Sequence, residues 1–384
     1  MFDAFQERED SPKISLLLFQ CILGLGRLSL DVHEHWCAKA SSHEGMFNKA
    51  KLLYAFGWES KQMVVLQSLL LMSFFPKDIN QLKGPSYWIS EAATVSFRLG
   101  LNRDPSDWDI SPHEKSSRKL LWWNLYVQER TRSLDSGSPW IIAEGAYDVP
   151  VLTLNDFISP STPSDGHASR FNEHQTMQLI FIEKTKLAVL LARLVPISLS
   201  NLDFYGNPST RLIPQPQGSM PDNFLLDILD RDLYQWYKGL PTRISKVEDG
   251  IPSPENPNSL LYLHYKSLIL FYHIVNCHLV AARRWRNRSP CLFHLNQLDE
   301  FSEAAVFFVK EICEELNSHR LQDPIRLMGF SILRAILLLA VVRESHQQIP
   351  EDKFHERDHL NNLSLKLANV DTWSSVVSSY IKYL

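Results

Sequence analysis

The sequence predicts an all-α protein, a single large multi-helix domain with long ordered loops. Three observations carry this. Leucine outnumbers valine 56 to 19, and β-branched side chains are the strand formers. Only 14 glycines occur in 384 residues, well below the roughly 7% of an average chain. That scarcity argues against glycine-rich phosphate loops, turn-rich barrels and propellers. Most of the chain also places apolar residues at helical period.

The helices follow in order. The first 40 residues are expected to form outer helices. Met46, Ala50, Leu53 and Gly57 step by three and four, with Gly57 as a C-terminal stop. Ser60 is expected to cap a helix running through Met63, Leu66, Leu70 and Phe74 to Pro76. Trp88, Ala92, Val95 and Leu99 make a third stripe, closed by Gly100. Ser111-Pro112-His113-Glu114 reads as a capping box with proline at the first helical position. It opens a helix over about 112–132, expected to be the central strut. Trp122 and Trp123 project about 100° apart on it, so both can be buried only if the helix packs over a wide arc. Residues 133–168, rich in Gly, Pro, Ser and Asp, read as a long ordered loop. Helices are expected at about 171–195, 222–238, 259–286, 296–318, 324–346 and 359–382, with proline-rich breaks between. No repeat of fixed period marks a solenoid. The whole chain, 1–384, therefore reads as one domain.

Composition narrows the function classes. Lys and Arg total 39 against 43 Asp and Glu, a net charge of −4, so any contact with DNA must be local or borrowed. The five cysteines, Cys21, Cys37, Cys277, Cys291 and Cys313, are dispersed with no C-x-x-C, the pattern of reduced intracellular thiols. The apolar run 14–26 follows Asp3, Glu7, Glu9 and Asp10 where a signal peptide is basic. No apolar run reaches the 18 residues of a membrane span. A soluble intracellular protein without membrane contact is expected.

Motifs of chemistry are scarce. His355-Glu356-Arg357-Asp358-His359 matches H-E-x-x-H, but its surroundings are polar and no third ligand follows, so it reads as surface charge. His33, His35 and Cys37 lie two apart and fall on different helix faces. There is no nucleophile elbow, P-loop or dinucleotide fingerprint. The one concentrated basic cluster holds Arg283, Arg284, Arg286 and Arg288. It reads first as cations at a helix C-terminus, and otherwise as a nuclear-import or phosphate-contact patch. Catalytic, cofactor-binding and metal-binding residues are expected to be none.

The region from Phe47 to Phe157 is the most informative. It holds Arg98-Leu99-Gly100-Leu101-Asn102-Arg103-Asp104-Pro105, then Arg118-Lys119-Leu120-Leu121-Trp122-Trp123, then Gly137-Ser138-Pro139 and Tyr147-Asp148-Val149-Pro150. In order and spacing this resembles the fungal-specific transcription factor domain, the middle homology region of fungal zinc-cluster regulators, closest in flavour to the cutinase-type group. The match is densest over 45–160 and looser over 161–384. The resemblance implies an all-α, non-enzymatic regulatory domain acting in the nucleus, with Arg103, Asp104, Arg118, Trp122, Trp123, Arg130, Gly137, Pro139 and Asp148 as family-motif structural residues. Family members carry a binuclear zinc cluster of six closely spaced cysteines ahead of this domain. No such array stands in this sequence, so no cofactor is expected, and DNA is expected only indirectly or through a missing N-terminal module. A full-length zinc-cluster regulator, a homodimer and a small-molecule effector are the expected partners. The alternative is a helical adapter or ligand-sensing paralogue that works by protein pairing and never binds DNA. Within the matched region, Arg103, Asp104, Arg118, Glu129, Arg130 and Asp148 are expected to pair beneath the loop 133–150, with Arg130–Asp148 the particular pair.

Overall fold

The computed structural model describes residues 15–31, 43–75, 83–136, 140–157, 168–198 and 222–249, with scattered positions over 261–279. Among the described residues there are helices and no strands, as the leucine-rich, glycine-poor composition requires. The chain divides into two compact units, Met1–Arg132 with Ile141–Pro150, and Ser133–Trp140 with Val151–Leu384.

The first unit contains α1 (Leu16–Asp31), α2 (His43–Ala55), α3 (Gln62–Met72), α4 (Pro85–Arg98) and most of α5 (Pro112–Ser136). α3 is apolar nearly all round and buries Val65, Leu66, Leu69, Leu70 and Met72, the pattern of a helix enclosed by others. α1 packs on α2 and α3, and α4 packs on α3. Phe47 of α2 stacks on Phe75 at 4.3 Å, and the Trp88 ring of α4 meets Phe47 edge-on at 6.1 Å. A Cβ built on Gly24 of α1 comes within 2.7 Å of Phe75 Cζ, so the bare backbone is what lets α1 approach.

The helix ends follow their sequence signals in part. Gly57 adopts φ +63° and Gly100 φ +66°, the left-handed stops expected after α2 and α4. α3, however, begins at Gln62 with Lys61 as its N-cap and no side-chain cap, so Ser60 is not the cap the sequence suggests. α5 starts at Pro112 as expected, with the Ser111 Oγ accepting the Glu114 N–H at 3.2 Å. It runs to Ser136, four residues past the expected 132, and shortens the expected loop. Trp122 and Trp123 are both fully buried, so α5 does pack over a wide arc.

The second unit holds a 3₁₀ turn (Leu154–Asp156), α6 (Ala168–Ser198), α7 (Asp222–Lys238) and α8 (Thr242–Asp249). The 3₁₀ turn lies inside the expected loop and is closed by a capping box between Thr153 and Asp156. α8 adds to the expected elements, its eight residues falling between Pro241 and the proline-rich break. α7 buries Leu226, Leu229 and Leu233, a three-and-four stripe facing α6. The described positions of 261–279 are helical and include the buried Leu268, Phe271, Tyr272 and Val275. Tyr272 stacks on Tyr237 at 4.9 Å and on Trp236 at 5.5 Å. The helices expected beyond residue 286, the basic cluster 283–288 and the 355–359 motif lie outside the described residues, as do His33, His35, Gly137 and Pro139.

Trp122→Ala or Trp123→Ala is expected to cost about 3–5 kcal/mol, read by denaturant unfolding, because each empties a large buried site. Less than 1 kcal/mol for both excludes this packing. Burial lowers the His273 imidazole to about 4 from an ordinary 6.5, so the unfolded chain takes up the proton first. Its stabilisation is present above pH 6.5 and is lost as pH falls from 6.5 towards 4, by about 3 kcal/mol in all. His273→Gln is expected to flatten that part of the pH–stability curve. An unchanged curve counts against the buried imidazole.

Candidate functional site

The matched region converges on one face of α5, where Trp123, Tyr126, Glu129 and Arg130 recur at helical spacing. Against this face lies 141–150, a stretch without helix or strand. Such a stretch must find partners for its own backbone polar groups, and α5 supplies them. Arg130 Nη2 donates to the Ile142 carbonyl at 2.8 Å, the Ile141 N–H donates to Glu129 Oε1 at 2.7 Å, and Trp123 Nε1 donates to the Pro150 carbonyl at 2.9 Å.

Arg130 is the centre of this arrangement. Its guanidinium is fully buried, paired with the equally buried Glu129 and, at 2.6 Å, with Glu144, which is 42% exposed. It lies over the Tyr126 ring at 4.3 Å, and the Tyr126 hydroxyl donates to Glu144 at 2.8 Å. Burial opposes the charge, but Glu129, Tyr126 and Glu144 outweigh it and hold the Arg130 pKa above its ordinary value. Burial likewise raises the Tyr126 and Tyr147 hydroxyls, which stay protonated donors. Tyr147 donates to Glu144 Oε2 at 3.2 Å and packs against the rings of Trp122, Trp123 and Tyr126 at 5.3–5.7 Å. The arrangement makes a fastened electrostatic joint and offers no nucleophile–base pair.

A second, outer set of contacts joins 141–150 to the turn after α4. The Asp148 N–H donates to the Asn102 carbonyl at 3.1 Å, and Asn102 Nδ2 donates to the Ala146 carbonyl at 2.8 Å. Asp148 accepts the Asp104 N–H at 2.6 Å and pairs with Arg103 at 3.3 Å, both side chains exposed. Arg118 pairs with Glu114 at 3.0 Å, donates to the Leu99 carbonyl at 3.2 Å and covers Trp108 at 5.1 Å. These contacts correct one expectation. Asp148 does not reach Arg130, because its own backbone is tied to Asn102 at the α4–α5 turn, and Glu144 takes the place opposite Arg130. Of the six charges expected to pair here, Glu129 and Arg130 form the buried centre, Arg103 and Asp148 pair at the exposed rim, the half-buried Asp104 joins that rim through its backbone N–H, and Arg118 pairs instead with Glu114. Tyr126, Glu144 and Tyr147 are members of the joint that the sequence reading gives no role, although Tyr147 stands within a motif segment. Tyr126 has a further signal, standing four residues before Arg130 on the same face.

Among the described residues, no group of three or more His, Cys, Asp or Glu could hold a metal ion, and no helix is long and apolar enough to cross a membrane. Cys21 is buried in α1 and its thiol is pushed up to about 12 by burial, so it stays a packing residue.

Residues 2–238 match the family model of the fungal specific transcription factor domain. The transcription factor cpaR of Aspergillus oryzae is 30% identical over 286 residues, 71% of this chain and 46% of that protein. Cutinase transcription factor 1 beta of Fusarium vanettenii is 23% identical over 285 residues, 67% of this chain and 32% of its own. Cutinase transcription factor 1 alpha of the same fungus is 24% identical over 348 residues, 89% and 35%. The chain thus spans less than half the length of these relatives. No solved structure matches it.

The joint makes a graded prediction. Arg130→Ala strands Glu129 in the interior and is expected to cost about 3–5 kcal/mol, whereas Arg103→Ala at the exposed rim costs at most about 1 kcal/mol. A double-mutant cycle is expected to find coupling between Arg130 and Glu144 and none between Arg130 and Asp148. Equal costs for Arg130→Ala and Arg103→Ala in chemical denaturation contradict the division into centre and rim.

Proposed function

The chain belongs to the fungal-specific transcription factor domain family, and from that premise we propose that it is the regulatory part of a fungal transcription regulator, acting in the nucleus and without catalysis. The family match across residues 2–238 is the observation that carries the reading. The motif segments around Arg103, Trp122, Arg130 and Asp148 support it, since in the fold they meet as one ordered joint. A domain of this kind works by changing which partners or conformations are favoured. DNA is reached through a partner or through a zinc-cluster module, and the domain itself holds no zinc. A small-molecule effector that favours one conformation fits the same scheme.

The surface charge supports an indirect route to DNA. Base readout needs side chains delivered into a groove and held there by several phosphate contacts. The chain carries a net charge of −4, and Arg283, Arg284, Arg286 and Arg288 can neutralise about two to four phosphates.

The purified chain is therefore expected to protect no discrete DNA site at physiological salt. Residual binding should fall with log salt at a slope of about −2 to −4. Tethered to an unrelated DNA-binding domain in a fungal cell, the chain is expected to change transcription of a reporter. A discrete footprint overturns the indirect route, and an inert tethered chain in the nucleus overturns the regulatory reading.

A further inference from the structure

The turn between α2 and α3 carries an exposed apolar surface. Phe56 is 81% exposed, Trp58 68% and Leu52 55%. Single exposed apolar side chains are ordinary, but three within seven residues make a patch. Leu52 and Phe56 stand four apart and so share one helix face. Trp58 follows immediately beyond the helix end. The backbone that presents them is fixed: Gly57 at φ +63° turns the chain, its N–H donates to the Tyr54 carbonyl, and the Trp58 N–H donates to the Leu53 carbonyl, each at 3.0 Å. The two aromatic rings are therefore held out on an ordered frame.

The rim of this patch is basic. Lys49 is exposed on the Leu52–Phe56 side of α2, and Lys61 is exposed just past the turn. Lys51, one position along on a neighbouring face of α2, lies over the Phe47 ring at 4.8 Å. Glu59 accepts the Lys61 N–H at 2.7 Å and keeps its negative charge, so the stretch Lys49–Lys61 carries three lysines against one carboxylate. On a protein of net charge −4, this is a local positive rim around an apolar centre.

We propose that the Leu52–Phe56–Trp58 surface docks a short acidic peptide segment bearing leucine or aromatic side chains, supplied by another protein. Apolar side chains of the peptide cover the two rings and Leu52, and its carboxylates meet the lysines. A second copy of this chain is disfavoured, because a two-fold contact brings the same lysines together. Nucleic acid is disfavoured because the aliphatic Leu52, at the centre of the patch, offers no stacking face for a base. The inference does not depend on the regulatory reading, since it is tested by binding alone.

The test is fluorescence anisotropy with the full chain and three labelled probes. One is a 20-residue peptide of Asp, Glu, Leu and Phe. The second has lysine in place of every Asp and Glu, and the third is a single-stranded oligonucleotide. The acidic peptide alone is expected to bind saturably and to weaken with added salt. Phe56→Ser with Trp58→Ser, and separately Lys49→Glu with Lys61→Glu, are each expected to weaken it by about tenfold or more, roughly 1.4 kcal/mol. All four positions are exposed, so circular dichroism and the unfolding midpoint should match the parent. Absence of saturable binding, equal binding of the lysine peptide, preferential binding of the oligonucleotide, or indifference to both double variants overturns the proposal. So does sedimentation showing a dimer that Phe56→Ser with Trp58→Ser abolishes.

Discussion

A guanidinium that has lost all its water must recover its solvation from the protein. Arg130 does so through Glu129, Glu144, the Ile142 carbonyl and the face of Tyr126. An unpaired charge in the same place costs several kcal/mol, so the interior tolerates Arg130 only while all four are in position. Two of the four, Glu144 and Ile142, belong to a stretch that has no regular structure of its own. The burial of one side chain therefore dictates where 141–150 runs.

Other contacts then follow from that path. Once the segment crosses α5, its Ile141 N–H and Pro150 carbonyl need partners, and Glu129 and Trp123 provide them. The Tyr147 ring is brought down among Trp122, Trp123 and Tyr126. Its far end is carried to the turn after α4, where Asn102 holds it by two hydrogen bonds. Gly100 makes that turn possible, because its φ of +66° belongs to the left-handed region. The buried centre supplies the energy and the exposed rim supplies the register. Ion pairs at the rim are screened by water and contribute little.

A joint of this kind suits the regulatory role proposed above. Its parts come from three places in the sequence, the α4–α5 turn, α5 and 141–150, and they hold only when all are present. Loss of any partner exposes an unmet charge, so the closed arrangement forms as a unit. The peptide-docking surface proposed at the α2–α3 turn lies in the same unit, carried by a backbone that its own glycine turn fixes.

Much of the fold is legible in the amino-acid order alone. Helical period, the Gly57 and Gly100 stops and the Ser111-Pro112 start are local signals, set by backbone sterics and by hydrogen bonds within a few residues. They locate α2, α4, the start of α5 and the whole of α7. The burial of Trp122 and Trp123 is also readable, because adjacent large aromatics on a helix leave few alternatives. Short elements are not. α8 and the 3₁₀ turn at 154–156 contain too few residues to show a period. The charge partners are least accessible of all. Arg130, Glu144 and Asp148 stand in the sequence as charges of similar standing, and chain order gives Asp148 no less claim on Arg130 than Glu144. Only the path of 141–150 across α5 decides between them, because an ion pair depends on separation in space, and that separation is set by hydrogen bonds between segments more than 40 residues apart, the Asn102 amide to Ala146 and the Asp148 N–H to Asn102.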